Sequence, residues 1–477
     1  MRKFTAKISA LGCALACVAP MLAGCSVVTS TTLPNVDVSA DELTAIMEKY
    51  DKQGYTYEYD GGPIELSMHH WDSSGTNVER GVVNAVLQGF NKRYPDIKVN
   101  LEIIQSYEEV YGNFIGGGTA ADVFLVPDGA ISKWASSGVL QNLDPYIESS
   151  TLLDSMDDVY PSCLTRYQYD AANRTMGSGN QLALPKDVGP YVMFYNKDWF
   201  DKSGVDYPAS DRIMTIDEAT EMWKALTKKD KNGKITGYGL AGLCIEGLVW
   251  SAGGDFLTPD RKSFPTSEAA LAGLEKGYEY MQKSYVEYNI QPPASFSGTF
   301  SASNLFSQQK VATVITGRWD VTTFRTLSFN WDVAYVPAFP ENIDANMYSG
   351  SVGYAVNSKK SDATKYAAWK LVEYIASKEG QEILSSTGFQ IPVYESVAMS
   401  EDFVEAEKTK GPQNYEVFVQ SAKKQGYGLW QYRSSITWKT NIYDTPSEFL
   451  FAENESDRKT VKQFLEEAKA KAASELG

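Results

Sequence analysis

The chain has 477 residues, which is more than one ordinary hydrophobic core accommodates, so two lobes or domains are expected. Its hydrophobic content of 43% and charged content of 22% are typical of a globular protein. A formal net charge of −16, with no basic cluster to offset it, excludes binding to nucleic acid and to anionic lipid headgroups.

The first 24 residues combine a basic start, an apolar middle and a small-residue end, which indicates an export signal peptide. The apolar run is too short to span a membrane. The signal ends in "LAGC", which resembles the bacterial lipoprotein signal, in which the cysteine becomes the lipidated first residue. This resemblance implies that Cys25 carries the lipid and holds the protein at the extracellular face of the bacterial cell membrane. An ordinary secretory signal with an incidental cysteine is the alternative.

Residues 25–39 are rich in Ser, Thr and Val and are interpreted as a tether. The spacing of Ser39 and Glu42 is that of a capping box and predicts a helix to about residue 53. This helix lies in an N-terminal extension, residues 40–62, for which the sequence suggests no function.

From residue 64 onwards, predicted strands and helices alternate. "PIELSMHHW", "IKVNLEII" and "ADVFLVPD" are predicted strands, and the helix after the first of them has Val82, Val86 and Phe90 at a spacing of four. The alternation is typical of an α/β fold with a mostly parallel sheet. Ligands of such sheets bind beyond the carboxyl ends of the strands, where "HHWD" and "VPDG" lie.

The rest of the pattern is less regular. "LALPKDVGPYVMFYNKDWF" is predicted to be a strand that crosses between lobes, and "LVWSAGGDFLTPD" to be a loop. "WDVAYVPAFP" and "YSGSVGYAVNSKK" are predicted to form a strand pair with a crossing between them. One long amphipathic helix is expected from Asp362 to Gly388, followed from Asp402 by a mostly helical tail.

The order of these segments resembles the extracellular solute-binding proteins of bacterial ABC importers, in the carbohydrate-binding group that includes maltose-binding protein. The resemblance rests on "DVFLVPDGAISKWASSGVLQNLDPYI", "PYVMFYNKDWF", "ITGYGLA", "WSAGGDFLTPD", "KVATVITGRWDVTTFR", "YSGSVGYAVNSKK" and "AAWKLVEYIASKEGQEIL". It implies two α/β lobes joined by a hinge of crossing strands, with a ligand cleft between the lobes.

By this resemblance, the first lobe comprises residues 63–190 and 337–391 and the second lobe residues 191–336 and 392–477. The crossings are expected near residues 189–194, 335–338 and 390–394. The family closes its lobes on the ligand by a hinge motion. Its closed form docks on the membrane permease of the importer, and the resemblance implies no cofactor, no metal and a monomer.

A sugar ring presents apolar faces and a rim of hydroxyl groups, so a sugar site needs aromatic planes together with charged and amide groups. Trp319 in "TGRWD" follows a predicted strand and resembles the stacking tryptophan of the family. Trp250 is predicted to lie in a glycine-rich loop, and Asp128 resembles an acidic contact to the sugar rim. The alternatives are core tryptophans and a common turn aspartate.

Six further residues are expected at the ligand from their loops or from the resemblance. Arg318 flanks Trp319 and could instead pair with Asp320, and a structural glycine turn is the alternative for the "YSGSVG" loop. The six are Tyr191, Arg318, Tyr348, Ser349, Gly350 and Trp430. Four other tryptophans fall on predicted helices at core spacing and are expected to pack: Trp134, Trp199, Trp223 and Trp369.

The chain has only two histidines, His69 and His70. A metal site needs three or four suitable ligands, and adjacent residues of a strand point to opposite faces, so a metal site is not expected here. By the resemblance, His70, Trp71 and Asp72 belong to a sugar-binding loop of the first lobe. Two other cysteines, Cys163 and Cys244, either pair or remain free thiols, and their spacing does not decide between these outcomes.

The sequence therefore predicts a lipid-anchored receptor, without catalytic role, that captures a carbohydrate and delivers it to the permease of an ABC importer. A receptor for a peptide or a polyamine is one alternative, because an acidic cleft suits a cation. A secreted glycoside hydrolase is a second, since such enzymes also combine aromatic residues with carboxylates.

Overall fold

Strands and helices alternate along the chain as the sequence pattern predicts. The computed structural model describes residues 38–72, 78–153, 156–293, 300–345, 348–424, 437–444 and 450–476. Cys25, Trp430, the signal peptide and most of the tether lie outside these residues.

Within the described residues, the strands belong to two five-stranded sheets and two small ribbons. In chain order they are β1 Ile64–Trp71, β2 Ile97–Ile104, β3 Val123–Pro127, β4 Gln168–Asp170, β5 Thr175–Met176, β6 Asn180–Gln181, β7 Leu184–Pro185, β8 Gly189–Pro190, β9 Val192–Asn196, β10 Lys228–Lys229, β11 Ile235–Ala241, β12 Val311–Thr316, β13 Trp331–Ala334, β14 Ser349–Gly350 and β15 Val352–Val356.

Helices cover both sheets. The first ten are α1 Ala40–Lys52, α2 Val78–Arg93, α3 Tyr107–Gly116, α4 Ile131–Ser136, α5 Asp144–Glu148, α6 Pro161–Thr165, α7 Lys197–Ser203, α8 Ile216–Leu226, α9 Ile245–Ser251 and α10 Glu268–Val286. Later helices are Ala302–Ser307, Val321–Phe324, Asp362–Ala376, Lys378–Ser386, Glu395–Ala398, Glu401–Lys410, Glu416–Lys424, Thr437–Lys439 and Val461–Glu475.

The first sheet has the order β2-β1-β3-β15-β7 and forms the centre of the first lobe. β1 pairs in parallel with β2 and β3, whereas β15 runs antiparallel to β3 and β7. Helix α2 covers this sheet. Val82, Val86 and Phe90, which the sequence places four residues apart, are fully buried on the side of the helix that faces the sheet. The parallel strands place the ends of β1 and β3 at the same edge, as the sequence predicts.

The second sheet has the order β10-β11-β12-β9-β13 and forms the centre of the second lobe. All five residues of β9 are buried, and the strand lies between β12 and β13 inside the sheet. Helix α8 begins at the capping box formed by Thr215 and Glu218. The α/β fold with two lobes is thus confirmed.

Three chain segments connect the sheets, which confirms a hinge of crossing strands. β8, in the first crossing, pairs antiparallel with β14, in the second. The third crossing is bridged to the first through Val188 and Ile391. The backbone carbonyl of Lys186 also accepts hydrogen bonds from the side-chain amides of Gln381 and Gln390, at 3.0 and 2.8 Å. The first and third crossings are therefore held together by shared hydrogen bonds.

The contacts of residues 335–342 bear on where the second crossing begins. Residues 335–338 still belong to the second lobe, because Ala338 exchanges backbone hydrogen bonds with Met214 and Ile216. Glu341 forms an ion pair with Lys276, and the Asn342 amide donates to the Trp250 carbonyl. The predicted lobe boundaries stay a prediction, and we propose that the boundary at residue 337 lies nearer to residue 348.

Two other predicted elements differ in the structure. The long helix from Asp362 is interrupted at Ser377, whose extended backbone ends one helix while its hydroxyl accepts from the Gly380 N–H to cap the next. Serine favours this position because its side chain replaces a missing intrahelical partner. The expected strand pair does not form, since β13 pairs with β9 and β15 with β3 and β7.

The N-terminal extension is attached firmly to the first lobe. Helix α1 has the predicted start, with Ser39 accepting from the Glu42 N–H. The Glu382 carboxylate accepts hydrogen bonds from Lys49 and Tyr50, both at 2.7 Å. The fully buried Glu379 binds Arg93 in bidentate fashion and also accepts from the Tyr57 and Tyr374 hydroxyls. Buried, charge-assisted contacts of this kind hold the extension against α2 and the helices Asp362–Ala376 and Lys378–Ser386.

The four tryptophans predicted to pack do so: Trp134, Trp199, Trp223 and Trp369 are at most 5% exposed. Cys163 and Cys244 are free thiols, the first buried and the second half-buried. Among the described helices, none is long and apolar enough to cross a membrane.

Candidate ligand-binding site

Three aromatic side chains meet where the first two crossings pair. The rings of Tyr191 and Trp319 have centroids 5.6 Å apart, and those of Tyr191 and Tyr348 lie 5.1 Å apart, both edge to face. The Tyr191 N–H donates to the Tyr348 carbonyl at 3.0 Å, which ties the two crossings together beneath the rings. We call these three residues the aromatic cluster.

Trp319 is the most exposed member of the aromatic cluster, at 36%. It lies in a one-turn 3₁₀ helix, Arg318–Asp320, directly after β12. Its ring lies against two glycines: a Cβ atom on Gly317 would lie 2.1 Å from the ring, and one on Gly189 would lie 3.1 Å from it. The absence of a side chain at these two glycines therefore lets the ring approach the backbone closely, while about a third of its surface stays exposed.

Arg318 points the other way from Trp319, and its predicted pairing with Asp320 is wrong. The guanidinium is 1% exposed, binds the Glu407 carboxylate, and lies 5.6 and 5.3 Å from the ring centroids of Tyr415 and Phe418. Successive side chains of a 3₁₀ turn are about 120° apart, since it has about three residues per turn, and this separates Arg318 from its neighbour. Arg318 anchors the turn in the core of the second lobe rather than facing the aromatic cluster.

Asp320 accepts hydrogen bonds from the hydroxyls of Ser303 and Thr316, at 2.5 and 2.7 Å. Burial raises its pKa above the usual value. Both hydroxyls come from the second lobe, so the carboxylate fixes the end of the turn whose middle residue is Trp319.

The first lobe contributes a buried ion pair, Asp128–Arg166. The Arg166 Nη1 donates to the Asp128 carboxylate at 3.1 Å and to the Ser349 carbonyl at 3.0 Å. Burial raises the pKa of Asp128 to about 6, although the guanidinium opposes the shift. The Arg166 Nη2 and the Ser349 hydroxyl are buried and have no hydrogen-bond partner among the described residues. Asp128 was expected at the site. Arg166 was not, because it lies in a loop-rich stretch without a sequence pattern that indicates a functional residue.

The second lobe contributes another buried ion pair, Glu246–Lys439, with a nitrogen–oxygen distance of 2.9 Å. The Cys244 thiol donates to the other Glu246 oxygen at 3.1 Å. The charges of Asp128 and Glu246 both raise the pKa of Tyr348, after the larger effect of burial. Charged groups from both lobes thus lie close to the aromatic cluster. The sequence did not indicate the second pair, because its members are 193 positions apart.

Trp250 is not in a loop, and this part of the sequence interpretation is wrong. The residue belongs to α9, is 3% exposed, and its ring meets that of Phe256 edge to face at 6.3 Å. The glycines expected to form the loop, Gly253 and Gly254, follow the helix instead. Trp250 therefore packs within an apolar cluster that also contains Trp438 and Tyr443.

The two histidines lie in different surroundings, as their strand position predicts. The ring of His69 contacts Tyr111 and that of His70 contacts Tyr354. Among the described residues, no group of three or more potential metal ligands occurs. His70 is fully buried, its Nδ1 lies 2.7 Å from the Trp71 carbonyl, and burial lowers its pKa to about 3. It is therefore neutral at physiological pH.

Trp71 and Asp72 are half-buried at the end of β1, and the Trp71 Nε1 donates to Glu79 at 2.9 Å. Residues 73–77, the remainder of this predicted sugar loop, lie outside the described part of the chain. A ligand contact by His70, Trp71 or Asp72 stays a prediction, as does one by Trp430. Ser349 and Gly350 form β14 beside the aromatic cluster, with Ser349 fully buried.

The cluster offers stacking surfaces, and the paired charges beside it offer hydrogen-bond donors and acceptors. Opposite charges compensate each other in the Asp128–Arg166 and Glu246–Lys439 pairs. Such an arrangement favours a neutral ligand with many hydroxyl groups over a strongly charged one, because a ligand charge would have to disrupt one of the pairs.

Comparisons with known proteins concern the family and the fold of the chain. The family described as bacterial extracellular solute-binding protein matches residues 74–382. A galactooligosaccharide-binding protein from Bacillus subtilis is 22% identical, over 73% of this chain and 80% of that protein. A solved ABC substrate-binding protein from Listeria monocytogenes in complex with cycloalternan has a TM-score of 0.70 and 21% identity, covering 86% of this chain and 99% of that one. UgpB from Mycobacterium tuberculosis in complex with glycerophosphocholine has a TM-score of 0.68 and 17% identity, covering 87% and 100%.

Proposed function

The chain belongs to the bacterial extracellular solute-binding proteins, and from this premise we propose that it is a lipid-anchored receptor that captures an oligosaccharide and delivers it to the permease of an ABC importer. The aromatic cluster at the crossing strands is the observation that supports a sugar ligand. An aromatic plane covers the C–H face of a sugar ring and removes it from water. Trp319 is available for this contact because more than a third of its surface is exposed.

The relatives support a carbohydrate ligand but include proteins that bind other compounds. One relative is a galactooligosaccharide-binding protein, and a solved structure of this fold holds cycloalternan. Another solved structure of this fold holds glycerophosphocholine, so the fold alone does not select a sugar. The charge pairing beside the aromatic cluster argues for the neutral ligand. We propose the site as a binding site and assign no catalytic step to it.

Lipid attachment at Cys25 is the second part of the proposal, and the "LAGC" motif supports it. Two or more acyl chains anchor a protein stably, whereas one does not. Metabolic labelling of the expressed chain with a fatty acid tests this step. We expect label in the wild-type protein and none in Cys25→Ala, and label that persists in Cys25→Ala would show that the lipid is attached elsewhere.

A thermal-shift screen of residues 26–477 tests the ligand. The panel contains neutral oligosaccharides, amino acids, peptides, polyamines and glycerophosphodiesters. A ligand that binds only the native state raises the melting temperature by mass action. We expect a rise with one family of oligosaccharides that is lost in Trp319→Ala and kept in Tyr207→Ala, a similarly exposed aromatic residue beside Asp201. A rise confined to charged ligands would discard the carbohydrate, and released monosaccharide would indicate a hydrolase.

A further inference from the structure

A narrow crevice opens beside the aromatic cluster on the side of the second lobe. Tyr191, Tyr348, Leu243 and Cys244 border it and are half-buried. The rest of its lining is buried and consists of Gly247 and four apolar side chains that we call its floor, those of Leu248, Ile315, Val336 and Pro337. The crevice and the aromatic cluster share both tyrosines, so a ligand stacked on the cluster reaches the crevice with any substituent that points towards α9.

The lining of the crevice decides what it can accept. The four floor side chains carry no hydrogen-bonding group. An ordered water in such a position needs two to four polar partners, which the floor does not provide. The space is also narrow, with room for roughly one water-sized group. A single methyl group satisfies both conditions.

The mouth of the crevice is polar on one side only. Cys244 begins α9 and donates its thiol hydrogen to Glu246, which also binds Lys439. Each carboxylate oxygen accepts more than one hydrogen bond, so Glu246 retains capacity for a further donor. A methyl group that enters the crevice from a secondary amide therefore brings an N–H close to a carboxylate.

We propose that this crevice is a subsite for the acetamido methyl group of an N-acetylated sugar. The inference rests on the proposed function and narrows its ligand class to oligosaccharides that contain an acetamido sugar. The methyl group occupies the apolar floor, the amide lies at the mouth next to the Cys244–Glu246–Lys439 group, and the sugar ring stacks on the aromatic cluster.

Matched ligand pairs test this subsite. Calorimetric titration of residues 26–477 compares N,N′-diacetylchitobiose with cellobiose and N-acetyllactosamine with lactose, pairs that differ only by acetamido groups in place of hydroxyl groups. We expect the N-acetylated member of at least one pair to bind at least about tenfold more tightly, the lower bound of what one extra carbon group contributes in an apolar pocket. Equal affinities within every pair that binds, or preference for the unsubstituted sugar, would overturn the subsite and leave the carbohydrate receptor standing. Binding of no sugar at all would overturn both.

Variants at Cys244 connect the preference to the crevice. Cys244→Leu places a larger apolar side chain at the mouth, and Tyr207→Ala, an exposed position outside the crevice, is the control. We expect the affinity ratio within a ligand pair to fall to about one in Cys244→Leu and to stay near the wild-type ratio in Tyr207→Ala. A ratio that is unchanged in Cys244→Leu would overturn the assignment.

Thiol labelling provides the same test without a substitution. Residues 26–477 contain two cysteines, of which Cys163 is fully buried, so N-ethylmaleimide reports on Cys244. Burial and the neighbouring Glu246 raise the pKa of this thiol, so the reaction is followed at alkaline pH. At equal saturation, the N-acetylated sugar should slow labelling more than its partner. Equal protection by both would place the acetamido group outside the crevice.

Discussion

The two lobes contribute to the candidate site in different ways. The first lobe supplies Asp128 and Arg166, both at most 4% exposed, and Arg166 donates to the Asp128 carboxylate and to the Ser349 carbonyl beside the aromatic cluster. The second lobe supplies Trp319, which is 36% exposed and is held in place by buried neighbours. The comparison suggests a division of roles, in which the first lobe provides buried support for the site and the second lobe provides the exposed aromatic surface that we propose as the ligand contact. Substitutions in the first lobe should therefore affect folding, and those at Trp319 should affect binding.

The largest effect is expected for Arg166→Leu, which leaves Asp128 buried without its cation. Removing one partner of a buried ion pair costs about 3–5 kcal/mol of unfolding free energy. Urea denaturation of residues 26–477 measures this loss. The control is Arg212→Leu, because Arg212 pairs with Glu218 on the surface, where such pairs contribute roughly 0–1 kcal/mol. Similar losses in both variants would mean that the first lobe does not depend on its buried pair.

A smaller effect concerns the pH dependence of stability. Asp128 has a pKa of about 6 in the folded protein, whereas an unfolded aspartate has a pKa of about 3.9. Folding therefore favours the protonated form, and the contribution of this residue is fully present below about pH 4 and is lost as the pH rises through 6. The loss amounts to about 3 kcal/mol. Denaturation at pH 4 and pH 7 should show this difference between the wild-type protein and Asp128→Asn, and parallel pH profiles would contradict it.

Trp319→Ala should lower ligand affinity by about 2 kcal/mol, roughly thirtyfold in Kd, because a half-exposed ring loses the apolar area that the ligand covers. Its effect on unfolding should stay below about 1 kcal/mol, in contrast to Arg166→Leu. Calorimetry with the sugar found in the thermal-shift screen, together with urea denaturation, measures both quantities. If Trp319→Ala lowered the free energy of unfolding by more than the free energy of binding, Trp319 would be a structural residue and the proposed difference between the two lobes would be wrong.

Gly317→Ala should have the smallest effect and tests how Trp319 is positioned. A Cβ atom would lie 2.1 Å from the ring, while the backbone at Gly317 is extended and accepts alanine. The ring must move, and we expect an affinity loss of about 1 kcal/mol. In the double variant with Trp319→Ala the second substitution should cost no further affinity, because the displaced ring is absent. An additive loss would assign Gly317 a separate role.

The sequence was most informative where a pattern repeats over many residues. Alternating strands and helices predicted the first sheet, and the position of Trp319 after β12 was read correctly from the order of strand and turn. Prediction from the sequence failed where the boundary of an element is set by a single residue and not by the repeating apolar pattern. Ser377 interrupts a helix whose apolar spacing continues across it, and Trp250 lies in a short helix next to glycines that suggested a loop.

The ion-pair partners of the site residues could not be predicted from the sequence, for a different reason. Arg166, Lys439 and Glu407 acquire their roles only through tertiary contacts with residues 38, 193 and 89 positions away, respectively. No local pattern encodes such a distance, and buried charges occur in loops and helices alike. The sequence could thus propose which aromatic residue a ligand meets, but not which ion pairs support it.

The Lys186 carbonyl has a mechanical consequence. Gln390 lies in the third crossing and Gln381 in the helix Lys378–Ser386 of the first lobe, so this one oxygen joins both of them to the first crossing. Turning the third crossing against the first breaks the Gln390 hydrogen bond, at a cost of about 1 kcal/mol. A motion in which the two segments turn together about a common axis keeps this bond.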